Sequence, residues 1–316
     1  MLSSEEEGTP VDGVFYSKVG LKYMVLEVLV LFSLKNFFFF QKWEVILNLN
    51  QKTCSVIGLC TMKSYKMDGP HRGFCLIINN VNFHSSQRKG SCKDAGKLLK
   101  VFTWLGLDVR TYTDLTSREI INLMETWQRV PDHKDRNCFI CCILSHGKSG
   151  AVYGTDDRLV SIRVLTSHFT AKRCPQLAAK PKLFFIQACQ GDKIQRPVYV
   201  DTDGPTPDLS SMQERVFLSE SIPEEADFLL GMATVDGYVS FRHMEEGSWY
   251  MQALCSNLQL GEDILSILTQ VNEDVARRDS PSGTKKQMPQ PAYTLRRKFI
   301  FPIPMAPPPS EQHQCF

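Results

Sequence analysis

Two stretches decide the fold: Cys138–Leu144 (CFICCIL) and Leu183–Ala188 (LFFIQA). Each is a continuous apolar run of strand length. A strand reads that way when helices cover both faces of its sheet, which is the situation in a parallel sheet. Phe74–Asn80 (FCLIINN) is a third run of the same kind. It is followed by a helical pattern over Ser91–Leu105, with Ala95, Leu98, Leu99, Phe102 and Leu105 on one face, which Gly106 stops. Leu107–Tyr112 reads as a further strand. Thr116-Ser117-Arg118-Glu119 has the form of a capping box, leading into a helix over Ile120–Val130 that Pro131 ends. Downstream, Asp227–Val235, Ser248–Leu258, Glu262–Val275 and Tyr293–Pro302 read as strand, helix, helix and strand. The alternation predicts an α/β fold with a mostly parallel central sheet flanked by helices.

The 316 residues are 43% apolar and 22% charged, with a net charge of +2, enough for one sizeable core or two small ones. A balance so near neutral argues against nucleic acid or an anionic membrane as the main partner. The eleven cysteines are odd in number and uneven in spacing, and Cys75 and Cys138–Cys142 sit inside apolar runs. That pattern fits buried thiols in a reducing compartment better than a secreted disulfide framework, so a cytoplasmic protein is expected. Glu5–Glu7 give the N-terminus the wrong charge for a signal peptide. Leu21–Phe40 is apolar, but Lys22, Glu27 and Lys35 interrupt it. Each would cost roughly 2.5–3.5 kcal/mol at the centre of a bilayer, so a poorly specified leader is expected over a membrane span.

Chemistry concentrates at the ends of two apolar strands. Gln187-Ala188-Cys189-Gln190-Gly191 follows one directly, and Ser145-His146-Gly147 closes another 43 residues upstream. Ligand and catalytic sites of parallel sheets lie beyond the C-terminal strand edges. A lone cysteine at a strand end is ordinarily a core residue, and a lone histidine there an ordinary polar cap. If the two strands are neighbours, however, Cys189 and His146 emerge side by side, and thiol plus imidazole suffices for thiolate catalysis. Gly147 has no side chain, so its N–H could join that of Cys189 in an oxyanion hole. Cys138 and Cys141 fit C-x-x-C, yet residues three apart on a strand face opposite ways. His84, His133 and His168 lack ligand partners at suitable spacing, so no metal and no cofactor is expected.

Together these residues resemble the caspases, whose pattern is Q-A-C-[RQG]-G with a histidine upstream. The resemblance runs from about Tyr65 to Pro304 and is carried by Arg72–Asn80, Cys138–Gly147, Lys180–Gly191, Glu225–Thr234 and Lys286–Pro291. It leans to the death-receptor initiator branch, the caspase-eight and caspase-ten type. The family fold is a three-layer sandwich formed by a large and a small subunit from one chain. The resemblance implies a cysteine endopeptidase that cuts protein substrates after aspartate, with Cys189 as nucleophile and His146 as base. It implies Arg72, Gln187 and Arg242 as the aspartate-reading groups, since arginine offers a permanently charged fork. Arg242 would also face the third residue before the cut, and Tyr238–Phe241, with Ser240, would pair with an extended substrate. Trp249 would wall the groove, and the Pro70 carbonyl would orient His146.

The same resemblance implies an apoptotic zymogen activated by dimerisation and self-cleavage. The expected division is a leader over 1–64, a large subunit over 65–203, a linker over 204–222, a small subunit over 223–304 and a tail over 305–316. The stretch from 193 to 223 holds four prolines and five acidic residues, the composition of an exposed linker. Asp203 and Asp208 are candidate cleavage sites in it, and Asp68 could release the leader. Pairing with a second copy or a related caspase is expected through the final strand, around Arg297–Pro302. Residues 1–64 show no amphipathic series like a death effector domain, so recruitment by the usual adaptor is not expected of them. The alternative of another class is a non-catalytic regulator that only heterodimerises. Retention of Cys189, His146, Arg72 and Arg242 argues for the enzyme.

Overall fold

The computed structural model describes residues 63–69, 71–197 and 223–309. The three apolar runs form β1 (Gly73–Asn79), β3 (Cys138–Leu144) and β7 (Lys182–Gln187), every residue of which is buried. With β2 (Asp108–Thr113), β8 (Phe228–Met232) and β11 (Gln290–Tyr293) they make a six-stranded sheet in the order β11-β8-β7-β3-β1-β2. All its pairings are parallel except β11 on β8. The expected fold class is therefore the observed one.

Side chains alternate between two apolar layers. Cys75 and Ile77, Ile140 and Cys142, and Leu183 and Phe185 point to one side. There they meet α1 (Ser91–Trp104), α4 (Trp249–Asn257) and α5 (Ile264–Arg277). Leu76, Phe139, Cys141 and Phe184 point to the other, against α2 (Ser117–Gln128) and α3 (Ile162–Ser167). Cys138 and Cys141 thus lie in opposite layers, as their spacing requires. The capping box forms as expected: Glu119 N–H donates to Thr116 Oγ1, and Thr116 N–H donates to the Glu119 carboxylate at 2.8 Å. Among the described residues, no helix is long and apolar enough to cross a membrane.

Two expectations need correction. Leu99 is 41% exposed, and Val101 takes its place under α1. The inward face is centred on Leu98 and Phe102, one turn apart; Val101 lies about 60° from Leu98 on one side, whereas Leu99 lies about 100° from it on the other. The last strand is not Tyr293–Pro302 but β11, which ends where the expected strand begins. Beyond it the chain leaves the sheet, making only isolated bridges such as Ser64 with Lys298 and Asp263 with Ile300. The apolar alternation there comes from Phe299 and Phe301, which are buried edge-to-face with centroids 4.7 Å apart, and Phe301 also packs on Phe102. Core packing produced a strand-like pattern without a ladder.

An ion pair between an exposed arginine and a buried carboxylate ties this return segment to the entry of β8. Asp227 is fully buried and accepts two parallel bonds from Arg296, each 2.9 Å. Tyr65 completes the knot: its hydroxyl donates to Asp227 at 2.7 Å and accepts from Arg296 N–H at 3.0 Å. Burial, then the Asp227 carboxylate, hold that phenol well above its ordinary range. Tyr65→Phe leaves a buried carboxylate oxygen and a backbone donor short of a partner, so it should lower stability by about 1–3 kcal/mol. A urea titration would detect the fall in midpoint; an unchanged midpoint would mean that water replaces the hydroxyl.

Candidate active site

β3 and β7 are direct neighbours, with Leu144 opposite Gln187, so the chain leaves both strands at the same edge. Ser145 N–H donates to Gln187 O at 3.1 Å, which holds the two exits together one residue later. His146 and Cys189 follow. Only glycine fits between them: a Cβ on Gly147 would lie 2.7 Å from Cys189 O and 2.8 Å from Ala188 Cβ. The short strands β4 (Gly147–Lys148), β5 (Ala151–Tyr153) and β6 (Leu159–Ser161) then form a small antiparallel sheet beside the site.

The loop after Cys189 is fastened to a segment beyond β8. Gln190 N–H donates to Tyr238 O at 2.8 Å and Gly237 N–H to Gln190 O at 2.7 Å. Gly191, at φ +155°, lies against Gly237, where a Cβ would meet backbone at 2.4 Å. This fastening carries Ser240, Phe241 and Arg242 over the strand edge. Arg242 begins β9 (Arg242–His243), which pairs with β10 (Gly247–Ser248).

The result is a cavity of about 270 Å³ lined by Arg88, Ser145, His146, Gln187, Cys189, Ser240, Phe241 and Arg242. The thiol and the imidazole share it, each with its own partner. Cys189 Sγ accepts the Ser240 N–H at 3.4 Å and lies 3.7 Å from Ser240 Oγ. The same Oγ accepts from Gln187 Nε2 at 3.0 Å. His146 Nε2 lies 3.2 Å from Ser86 Oγ, and its ring packs on Phe83 with centroids 4.7 Å apart. Trp249, the first residue of α4, is not in the cavity wall but packs on Phe241, which is, at 5.0 Å between rings.

Arg72 does not reach this cavity. It precedes β1 at the N-terminal edge of the sheet, where Nη1 donates to Leu105 O at 2.6 Å and to Pro302 O at 2.5 Å. Parallel strands bring their C-terminal ends together, so a residue just before β1 is a strand length, roughly 20 Å, from residues just after β3. Pro70 lies outside the described residues. The group that does meet the imidazole is Ser86. Asp203 and Asp208 also lie outside the described residues, while Asp68 is exposed and 3.7 Å from Lys66 Nζ.

The arginine that the sequence reading missed is Arg88. It is 1% exposed, and Nη1 donates to Asn80 O at 3.1 Å and Ser91 Oγ at 2.7 Å. Among the described residues, Nε and Nη2, the side-on edge of the guanidinium, have no hydrogen-bond partner, and neither does Gln187 Oε1. The signal for it was available: Arg88 stands in the loop after β1, at the strand edge that had already singled out Cys189 and His146. A buried charged fork with an open edge suits a carboxylate.

Burial first, and then the neighbouring guanidinium of Arg242, push Arg88 down to about 9. Burial first, then Arg88 and Arg242, lower the His146 pKa to about 4, with Asp157 opposing. The imidazole is therefore neutral at physiological pH and able to accept a proton. In an NMR titration of the unliganded protein the His146 ring should change shift with a midpoint near pH 4, and protonation should appear only as pH falls. A midpoint at or above the ordinary value of about 6.5 would contradict this electrostatic picture.

The family model "Caspase domain" matches residues 72–300. The chain is 46% identical to Caspase-8 of Rattus norvegicus over 260 residues, covering 75% of this chain and 52% of that protein. It is 48% identical to Caspase-10 of Homo sapiens over 224 residues, covering 70% and 42% respectively. Against Caspase-3 of Mesocricetus auratus the identity is 41% over 257 residues, 77% of this chain and 89% of that protein. The chain thus spans about half the length of the Caspase-8 and Caspase-10 relatives. With a family match over most of its length and substantial identity across nearly all of a shorter relative, this chain belongs to the caspase family.

Proposed function

We propose that this chain is a cysteine endopeptidase that cuts proteins after aspartate and acts as an initiator-type caspase in apoptotic signalling. The observation that carries the reading is the open edge of Arg88, buried in one cavity with Cys189 and His146. The substrate aspartate occupies that edge together with Gln187 and Arg242. Ser240 Oγ, which Gln187 now holds, yields its bond to the incoming carboxylate. The backbone around Ser240 then pairs with the extended substrate, and Trp249 supports the groove through Phe241.

The chemistry follows from the dyad. The Cys189 thiol loses its proton to the neutral His146 imidazole, and the sulfur attacks the backbone carbonyl carbon of the substrate aspartate. The N–H groups of Gly147 and Cys189 receive the negative charge on the carbonyl oxygen. The imidazolium returns the proton to the leaving amine as the C–N bond breaks, leaving a thioester that water hydrolyses. Ser86 Oγ, 3.2 Å from His146 Nε2, helps to hold the imidazole, and the Pro70 carbonyl is proposed to orient it.

The chain is made as a zymogen of large (65–203) and small (223–304) pieces, with Asp203 and Asp208 as linker cleavage sites and Asp68 as the site that frees the leader. Dimerisation, with a second copy or a related caspase, uses the outer edge of β11, which among the described residues pairs only with β8 and can pair with its like. The buried free thiols suit a cytoplasmic site of action.

The test is hydrolysis of Leu-Glu-Thr-Asp and Asp-Glu-Val-Asp reporter peptides by processed, dimerised protein. Cys189→Ala should abolish cleavage. Arg88→Ala, which removes the buried partner of a charged group, should lower kcat/KM about 100-fold or more, chiefly through KM. Arg72→Ala, remote from the cavity, should leave kcat/KM within about threefold of wild type. Equal losses at Arg72 and Arg88 would refute the assignment of the aspartate seat, and no cleavage by wild type would favour a non-catalytic regulator.

A further inference from the structure

The dyad and the aspartate seat leave several fully buried ionisable groups unused, among them His133, Lys182 and Asp94. Asp94, in the first turn of α1, is 0% exposed. Its carboxylate accepts the Ser248 N–H at 2.9 and 3.1 Å and the Gln252 side-chain amide at 2.8 Å. The fit is close: a Cβ on Gly247, whose φ is +90°, would lie 2.3 Å from Asp94 Oδ1. Ser248 stands directly opposite Arg242 in the β9–β10 pair. Asp94 therefore grips the strand that frames one cavity arginine.

The same turn of α1 holds the other. Ser91 Oγ accepts from Arg88 Nη1 at 2.7 Å and donates to Asn79 Oδ1 at 2.5 Å, at the end of β1. Between the two, Arg242 Nε donates to Lys89 O at 2.8 Å. Gly90, at φ +82°, lies under the backbone of His243 and Met244, within 2.8 Å of where a Cβ would stand. Arg88 and Arg242 are thus set relative to each other by one short segment, 88–94.

We propose that Asp94 is a positioning residue that fixes the spacing of Arg88 and Arg242, and with it the affinity of the cavity for an acidic side chain. Two guanidinium groups crowded into a buried site repel, and a carboxylate placed behind both offsets that repulsion. Burial lowers the pKa of each arginine, and the charge of Asp94 acts in the opposite direction on both. Burial also pushes the Asp94 carboxyl up, against the Ser248 and Gln252 bonds and Arg88, which favour its ionised form. A group that only held the Ser248 N–H would need no charge; one that balances two arginines does.

This inference rests on the aspartate-cutting reading, and its experiment separates the two. Asp94→Asn keeps an acceptor for Ser248 but loses the charge. In the processed, dimerised protein it should raise KM for the Leu-Glu-Thr-Asp reporter about tenfold or more, with kcat within about threefold. Alkylation of Cys189 by iodoacetamide, a small neutral reagent that needs no arginine, should stay within about threefold of wild type. Gln252→Ala, a milder change at the same carboxylate, should raise KM less and carries the test if Asp94→Asn does not fold. Thr116→Ala, which weakens the remote cap of α2, should lower the melting temperature with KM unchanged. If wild type cleaves nothing, the aspartate-cutting reading falls and this inference with it. If wild type cleaves but both Asp94→Asn and Gln252→Ala keep KM within twofold, the inference alone is overturned. It is also overturned if KM, kcat and alkylation decline together with melting temperature, since Asp94 would then be only structural.

Discussion

The parallel pairing of β1, β3 and β7 is the constraint on which the rest of the structure depends. Side by side and in matched register, the three strands must release their chains at one edge, and each release delivers a cavity residue. β1 leads to Arg88, β3 to His146 and β7 to Cys189, with Gln187 as the last residue of β7. Apart from Gln187 and Cys189, these groups are far from one another in sequence. They meet because buried strands with helices on both faces cannot slip without carrying an entire apolar set out of the core.

The second half of the cavity arrives from across the stretch 198–222. Ser240, Phe241 and Arg242 are held over the strand edge by backbone bonds from Gln190 and Lys193, while the first turn of α1 grips β9 and β10 from beneath. Farther away, Tyr65, Asp227 and Arg296 tie the entry of β1 to the entry of β8 and to the return segment. Such buried polar groups contribute little net stability when satisfied and cost much when broken. Their effect is to allow one arrangement of the two segments and penalise others, which suits a site built from both.

Charge placement follows from the same packing. Two arginines share a cavity with a histidine, and burial works against the charged form of all three. The permanently charged guanidinium groups retain their protons at neutral pH, whereas the histidine, with an ordinary pKa near 6.5, gives way and is neutral. A cavity that attracts a carboxylate and an imidazole ready to accept a proton are therefore two consequences of one electrostatic arrangement.

The strands, helices and capping box could be read from local pattern, because burial on two faces and the 3.6-residue period leave marks within a dozen residues. Cys189, His146 and Gln187 could be read too, since the strand-edge rule needs only knowledge of where a strand stops. The sequence by itself therefore determined the layers, the edge and the thiol and imidazole that share it. It misled at Phe299 and Phe301, whose alternation satisfied a core without a ladder, and at Arg72, which neighbours a strand at its wrong end. Only the tertiary structure decided which arginine enters the cavity, which group meets the imidazole and what Asp94 holds. Those depend on contacts between residues far apart in the chain, such as the bond from Gln252 to Asp94 across 158 positions. Local periodicity records which face is buried; it carries no trace of what is packed against it.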